Sequence, residues 1–275
     1  MAARLIAQGI SGPLGQPVVV ENRPPFITTE TVAKAPPDGY SMLLNGSIVW
    51  VLPLLQKNVP WDPLRDFSPL TLVSSAPLTL VVHPSLPVKS VKELIALAKA
   101  RPGKLDYSSA GQGVPPQIAA ELFKSMAGVN IVSVNYKGSG EALTALIAGE
   151  VQVAFGNAAP VTPHITSGKL RALAVTSSEP SKLAPGLPTV AASGLPGYEY
   201  VSVIVMLAPA KTPEAIIRRL NQEIVRALNN PDVKQKFLDF GVESRSSSPE
   251  ELAATVKTDM ARMGKVIKDA GIKAE

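Results

Sequence analysis

The sequence predicts an α/β protein of two lobes, and three observations carry that expectation. Apolar segments with the two-residue period of strands alternate with segments of helical period along most of the chain. Twenty-six prolines and 20 glycines fall between those segments rather than in clusters, as they do where turns join many short elements. The chain is also long enough for two hydrophobic cores, with 275 residues of which 45% are hydrophobic and 18% charged.

Ala2 to Ile10 reads as a helix, Val18 to Glu21 as a β-branched strand, and Thr28 to Ala35 as a short helix stopped by Pro36 and Pro37. Tyr40 to Leu44 is expected to be a strand. The stretch Ile48 to Phe67, interrupted by Pro53, Pro60 and Pro63, reads as irregular, and Leu70 to Ser74 and Leu78 to His83 as two apolar segments parted by Pro77. That pair resembles an exit from one lobe into another. Ser90 and Glu93 make a capping box in front of Leu94, Ile95, Leu97 and Ala98, which predicts a helix over Val91 to Ala100. Strands at Leu105 to Ser108, Ile131 to Asn135, Val151 to Phe155 and Arg171 to Thr176 then alternate with helical segments at Pro116 to Met126, Glu141 to Ala148 and Pro163 to Ser167. Such alternation predicts a parallel sheet covered on both faces. A proline-rich surface connection, Ser177 to Tyr198, ends in the apolar segment Tyr200 to Ala208, read as the return crossing. Thr212 and Pro213 start a helix that runs to about Leu228, a second covers Asp232 to Phe240, and Ser248, Pro249 and Glu251 cap a third ending near Gly271. The expected lobes are residues 1–76 with 204–275, and 77–203.

The composition excludes several classes. Lys plus Arg is 27 against 22 for Asp plus Glu, a modest net charge of +5 with both signs interleaved, so no stripe for nucleic acid is present. The absence of cysteine removes thiol nucleophiles, zinc–thiolate sites and disulfides. No apolar run is long enough to span a bilayer, and Met1 to Gly12 lacks the charged start, apolar core and cleavage site of a signal peptide. Gly111 and Gly113 are not completed to a dinucleotide fingerprint, because Pro116 stands where the third glycine belongs. Ser139 lies in Lys-Gly-Ser-Gly rather than a nucleophile elbow. His83 and His164 have no carboxylate or second histidine at metal spacing, and Asp62 and Asp66 sit in a proline-rich loop where carboxylates cap turns. No catalytic residue, metal or cofactor is expected.

Ligands of open parallel sheets bind beyond the carboxyl ends of the strands, which directs attention to the loops after Tyr107, Asn135 and Phe155. Ser108-Ser109-Ala110-Gly111-Gln112-Gly113 is a small-residue loop able to aim N–H groups and hydroxyls at an anion near a helix start. Tyr136-Lys137-Gly138-Ser139-Gly140 also precedes a helix, and Gly156-Asn157 offers an amide that both donates and accepts. Three such loops at one sheet edge favour a site of backbone amides and neutral polar groups, suited to a carboxylate.

Several segments resemble the solute receptors of tripartite tricarboxylate transporters, the Bug receptors. They are Gly15-Gln16-Pro17-Val18-Val19-Val20-Glu21-Asn22-Arg23-Pro24, Ala33-Lys34-Ala35-Pro36-Pro37-Asp38-Gly39-Tyr40 and Lys89-Ser90-Val91-Lys92-Glu93-Leu94. Tyr136-Lys137-Gly138-Ser139, Gly168-Lys169-Leu170-Arg171-Ala172-Leu173-Ala174-Val175-Thr176, and Leu207-Ala208-Pro209-Ala210 with Thr212-Pro213 continue the series in the family's order. The resemblance implies a periplasmic, two-lobed, type II binding-protein fold with a ligand cleft between the lobes. Such a receptor captures a small carboxylate as a monomer and delivers it to the membrane permease subunits of the transporter. It implies a pocket lined by Ser47, Ser109, Gly111, Gln112, Gly138, Ser139 and Asn157. Gly156 stands where the family often carries Asp, which disfavours an amino-acid ligand. The family also begins with a signal peptide and a first strand ending in a Pro-Gly-Gly loop, whereas this sequence is expected to start at the following helix.

Three rival readings remain at this stage, one of them a truncated gene product that folds poorly and binds nothing. Another is an α/β enzyme using Ser109 or Ser139, for which no base is identifiable. The third is a cytoplasmic carboxylate-sensing module, which a fused DNA-binding segment would support.

Overall fold

A computed structural model describes residues 1–111 and 114–270. The chain divides into two compact units, Met1–Ser75 with Val203–Gly264, and Ala76–Ser202 with the end of the last helix from Lys265.

The first unit opens with α1 (Ala2–Leu14), whose buried Ile6 and Ile10 recur at helical spacing and whose end is turned by the left-handed Gly15, φ 69°. After α2 (Pro25–Ala33) come β1 (Leu43–Gly46) and α3 (Ile48–Leu55). The last corrects the expectation of irregular backbone from Ile48 onward. Pro53 inside α3 has no N–H for the carbonyl of Val49, but the indole Nε1 of Trp61 donates to that oxygen at 2.8 Å and supplies the missing bond. Trp50, 1% exposed, donates from Nε1 to Asp259 Oδ2 at 2.7 Å, and Arg262 donates to Oδ1 of the same carboxylate at 2.7 Å. These bonds dock α10 (Pro249–Ala270) on α3.

Strand β2 (Phe67–Val82) corrects a second expectation, since it is continuous through Pro77. Pro77 falls between Ser74 and Ser75, paired with β8 (Glu243–Ser244), and Leu78 to Val82, paired with β5 (Val153–Asn157), where its missing N–H is tolerated. In the first unit the strand order is β1, β7 (Val201–Pro209), β2, β8, with Leu43 opposite Leu207 and Gly46 opposite Ile204. Its core joins Ile6 and Ile10 to Leu70, Val73, Ile224 of α8 (Glu214–Leu228) and Phe237 of α9 (Pro231–Asp239). Gly9 lets α1 and α8 approach, because a Cβ there would stand 2.8 Å from Ala227 Cβ.

Val18–Glu21 is a third correction. Its exposure alternates as in a strand, with Val18 and Val20 half-buried and Val19 and Glu21 exposed. Yet the stretch 16–23 makes no backbone-to-backbone hydrogen bond among the described residues, and Val18 N donates instead to Ser11 Oγ at 3.0 Å. A pleated segment becomes a strand only when another backbone pairs with it, and none does here.

In the second unit, α4 (Val91–Ala100) starts as its capping residues predict: Ser90 Oγ accepts from Glu93 N at 3.2 Å and Glu93 Oε2 from Lys89 N at 2.6 Å. The strand order is β6 (Arg171–Val175), β2, β5, β3 (Asp106–Ser109), β4 (Val132–Asn135). β3 runs parallel to β4 and β5, while β2 is antiparallel to β5 and β6, so the sheet is mixed rather than all parallel. β2 reaches β5 as the continuation of a strand of the first unit, without the helical crossover that would impose parallel pairing. Helices α5 (Pro115–Ala127), α6 (Ser139–Ala148) and α7 (Ala158–Thr166) follow β3, β4 and β5. The last starts five residues before the expected turn at Pro163, because Pro160 lies in the first turn, where no N–H is needed. Phe123, Phe155 and Tyr198 pack with ring centroids 5.7 and 6.0 Å apart, and the Tyr198 hydroxyl donates to Ala119 O at 2.9 Å. The proline-rich connection is thereby tied to the core.

Thr176, fully buried, closes this unit. Its Oγ1 accepts from Leu78 N at 2.7 Å, its N donates to Leu78 O at 2.9 Å, and its carbonyl accepts from Tyr200 N at 2.8 Å. Thr176→Val keeps the shape and leaves the buried Leu78 N–H without an acceptor. It is expected to lower unfolding free energy by about 1–3 kcal/mol, measured by urea denaturation against wild type.

Candidate functional site

The parallel strands β5, β3 and β4 deliver their carboxyl ends side by side, and each is followed by a helix start. Neighbouring strands lie about 4.8 Å apart, so the starts of α7 and α6, two strands apart, are separated by roughly 10 Å, the scale of a small ligand. None of α5, α6 and α7 has a side-chain hydrogen bond capping its N-terminus. The positive ends of the helix dipoles therefore meet the solvent at this edge.

The three starts are not equivalent. α5 begins Pro115-Pro116, two residues without N–H groups. α6 begins after Gly138, which has no side chain to fold back, and its first turn carries Glu141, whose Oε2 accepts from Lys137 N at 3.2 Å. That carboxylate already offsets part of the dipole. α7 has no acidic residue in its first turn, and its cap residue Asn157 is exposed and does not bond to its own helix. The amides of Ala158 and Ala159 with the Asn157 side chain make this the most receptive end for an anion.

The sequence-derived residues separate in role. Ser109 is 1% exposed, and its hydroxyl donates to Gly111 O at 2.8 Å, so its single proton shapes the loop in this conformation. Its carbonyl accepts from Tyr136 N at 2.8 Å, which binds the loop after β3 to the loop after β4. Gly111 has φ 137°, accessible in practice only to glycine. Gln112 lies outside the described residues. Gly138 is extended at φ −175°, a Cβ there would meet nothing within 4 Å, and Ser139 beside it is exposed. Lys137 is exposed at the same loop. Ser47 belongs to the first unit, at the start of α3 directly after β1, and again makes no side-chain capping bond. Gly156 is explained by packing, since a Cβ would come within 2.6 Å of Val161 Cγ1 on α7.

Sequence reasoning expected backbone amides in these loops, Gly140 among them, but did not single out Ala158 and Ala159. A glycine in the capping position of α6 and an alanine pair after Asn157 were the signals available. It also missed what holds the site from beneath. The Tyr107 hydroxyl donates to Glu121 Oε1 at 2.7 Å, and Lys124 Nζ donates to the same oxygen at 2.7 Å. Burial pushes the Tyr107 phenol far above its ordinary range, so it stays a donor and pins α5 to β3.

The groups read as structural have local partners. His83 Nδ1 lies 2.7 Å from Ser85 Oγ. Asp62 Oδ1 accepts from Leu64 N and Arg65 N, and Asp66 Oδ2 from Asp62 N. The hydrogen bond and charge of Arg65 hold the Asp66 carboxyl below its ordinary range. Among the described residues no group of three His, Asp or Glu side chains could hold a metal. A cavity of about 890 Å³ lies in the first unit and contains none of the sequence-derived site residues.

Parallel strands that carry uncapped helix starts to one edge are the build of a protein that binds a small anion through neutral donors. The chain belongs to the tripartite tricarboxylate transporter receptor family, whose model matches residues 2–272. BugT of Bordetella pertussis is 35% identical over 279 residues, covering 98% of this chain and 85% of its own. The R. palustris protein Rpa4515, solved with adipate, is 36% identical with a TM-score of 0.78, covering 99% of this chain and 93% of its own. MatC of Rhodopseudomonas palustris, solved with bound malate, is 28% identical with a TM-score of 0.73, covering 97% and 93%.

The conformation of Gly111 gives a test of the loop that is independent of any ligand. A Cβ at Gly111 would meet its nearest neighbour, Val114 Cγ1, at 3.9 Å, so Gly111→Ala costs dihedral strain without a clash. The expected loss is about 1–3 kcal/mol, read by chemical denaturation, with faster amide exchange confined to the loops after β3 and β4.

Proposed function

We propose that this protein is a periplasmic receptor that captures a small carboxylate and presents it to the membrane permease of a tripartite transporter, releasing it unchanged. The observation that carries the reading is the start of α7, where Asn157 is exposed and the helix has no side-chain cap and no acidic residue in its first turn. The start of α6, with Ser139 and Gly140, is the second donor group. Adipate and malate, the ligands of two relatives, are dicarboxylates, and hydrogen-bond donors set roughly 10 Å apart along the sheet edge suit an acid of that size. The neutrality of the donors supports binding and release: amides hold a carboxylate without the deep attraction of a buried ion pair. An enzymatic reading finds no support at Ser109, whose hydroxyl is engaged by Gly111 O rather than by a base.

Adipate, malate, citrate and a panel of aromatic acids, each in turn, test the proposal by thermal shift. At a ligand concentration about 100 times its Kd, linkage adds roughly 2.7 kcal/mol of stability, a rise of several degrees. The ligand should be recovered chemically intact by mass spectrometry. Consumption of the ligand, or no shift across the panel, would overturn the reading.

Asn157→Ala should weaken binding of the best acid by roughly 0.5–1.5 kcal/mol, about two- to tenfold in Kd. Calorimetry reads the loss, and circular dichroism should be unchanged because Asn157 is exposed and does not cap its helix. Wild-type affinity in this variant would remove the start of α7 from the site.

A further inference from the structure

We propose that the second unit carries a separate binding site for a small apolar monocarboxylate, with Arg171 as the anion-binding group. The first observation is the state of the guanidinium. Two arginines are half-buried among the described residues, Arg171 and Arg262. Arg262 is paired with Asp259 at 2.7 Å, whereas Arg171 meets no described carboxylate. Its Nη1 donates to Leu86 O at 3.2 Å and to Val88 O at 2.8 Å, which uses both hydrogens of that nitrogen. Nε and Nη2, the edge that grips a carboxylate through two parallel hydrogen bonds, have no acceptor among the described residues. Carbonyl oxygens orient a guanidinium without neutralising it, so a half-buried positive charge is held here without a counter-charge.

The second observation is the concavity beside it. A pocket of about 350 Å³ is lined by Arg171 together with Pro84, Ile165, Leu170, Ala172 and Leu187, and holds no other charged side chain. Gly168 completes the wall in the left-handed conformation, φ 73°, where a Cβ would meet nothing within 4 Å. One charged group among aliphatic walls is the composition of a site for an amphipathic anion: the walls take an apolar body and the fork fixes its head. The volume lies at the small end for ligand pockets, which limits that body to a short chain or a single ring. The third observation is position. Arg171 pairs with Val82 on β2 and Asn157 pairs with Leu78, which sets the two places roughly 13 Å apart along that strand. The pocket shares no residue with the loops after β3, β4 and β5, so it is distinct from the site at the start of α7.

The chemistry selects the occupant. Inorganic phosphate would satisfy the guanidinium and leave the aliphatic walls in water. A neutral apolar molecule would cover the walls and leave the charge unmatched. A dicarboxylate would press its second charge against apolar side chains, which costs desolvation with nothing to repay it. A monocarboxylate with an aliphatic body matches both parts of the lining.

Hexanoate and hexanamide, which share an alkyl chain and differ in charge, test the proposal by NMR titration of the whole chain. Hexanoate should shift the Arg171 Nε–H and the amides of Gly168 and Leu170 saturably, with an affinity roughly tenfold or more above that of hexanamide. Ala172→Phe fills the pocket and keeps the guanidinium, so it should abolish these shifts with circular dichroism unchanged. Arg171→Gln keeps a donor for the Val88 carbonyl and removes the charge, so hexanoate should fall to the affinity of hexanamide. Equal affinities on the wild-type chain would indicate adsorption to apolar walls and overturn the proposal. So would the absence of a saturable shift at Arg171, or shifts that survive Ala172→Phe and mark only a surface ion pair. Shifts confined to Gly140, Asn157 and Ala158 would place the acid in the site at the start of α7 alone, and would also overturn it. The comparison of the two ligands on the wild-type chain decides the matter even where a variant fails to fold.

Discussion

The second unit depends on the hydrogen bonds that converge on Thr176. Leu78 is held by both its N–H and its carbonyl to this one residue, and Leu78 is the partner of Asn157 in the pairing of β2 with β5. The register of β5, and with it the residue at which the strand gives way to α7, follows from that grip. A slip by one residue would turn alternate side chains to the wrong face of the sheet. Asn157 is therefore placed by a contact on the far side of its partner strand, and its side chain is left out of any capping bond.

The candidate site lies at helix starts that no side chain caps. Three helix starts outside the site are closed by side chains, whereas α1, α2 and α8 are not: Ser90 and Glu93 cap α4, Asn230 Oδ1 accepts from Asp232 N at the start of α9, and Ser248 with Glu251 closes the start of α10. At α6 and α7 the cap is a glycine or an amide turned outward. The proline pair of α5 marks a division of labour, since that helix contributes the loop before it and a buried anchor through Tyr107, Glu121 and Lys124. An anion at this edge would gain hydrogen bonds from backbone that the fold already holds in place, without ordering long side chains.

Polar satisfaction also explains why prolines misled at two points. Pro53 would break a helix whose Val49 carbonyl had no other donor, and Trp61, eight residues further on, supplies one. Pro77 would end a strand whose ladder needed its N–H, but it falls where β2 passes from one set of partners to another. In both cases the penalty attached to proline is the loss of a hydrogen bond, and the penalty vanishes when a remote group makes or removes the need for that bond.

What the sequence by itself determined was local. The helices over Val91–Ala100 and Glu214–Leu228, the alternation of strand and helix through the second unit, and the small-residue loops after Tyr107, Asn135 and Phe155 follow from periodicity, caps and turn residues within a few positions of one another. The family was legible too, because its blocks are short and ordered. Tertiary structure decided the rest. Val18–Glu21 has the composition of a strand, but pairing is a property of a neighbour and no described backbone is hydrogen-bonded to it. Ser109 has the composition of a ligand donor, but its proton goes to Gly111 O, a bond set by the φ of 137° at Gly111. The amides of Ala158 and Ala159 carry no side-chain signature at all. Whether an N–H is spent or available depends on what the folded chain brings within about 3 Å of it, and residue type alone does not record that distance.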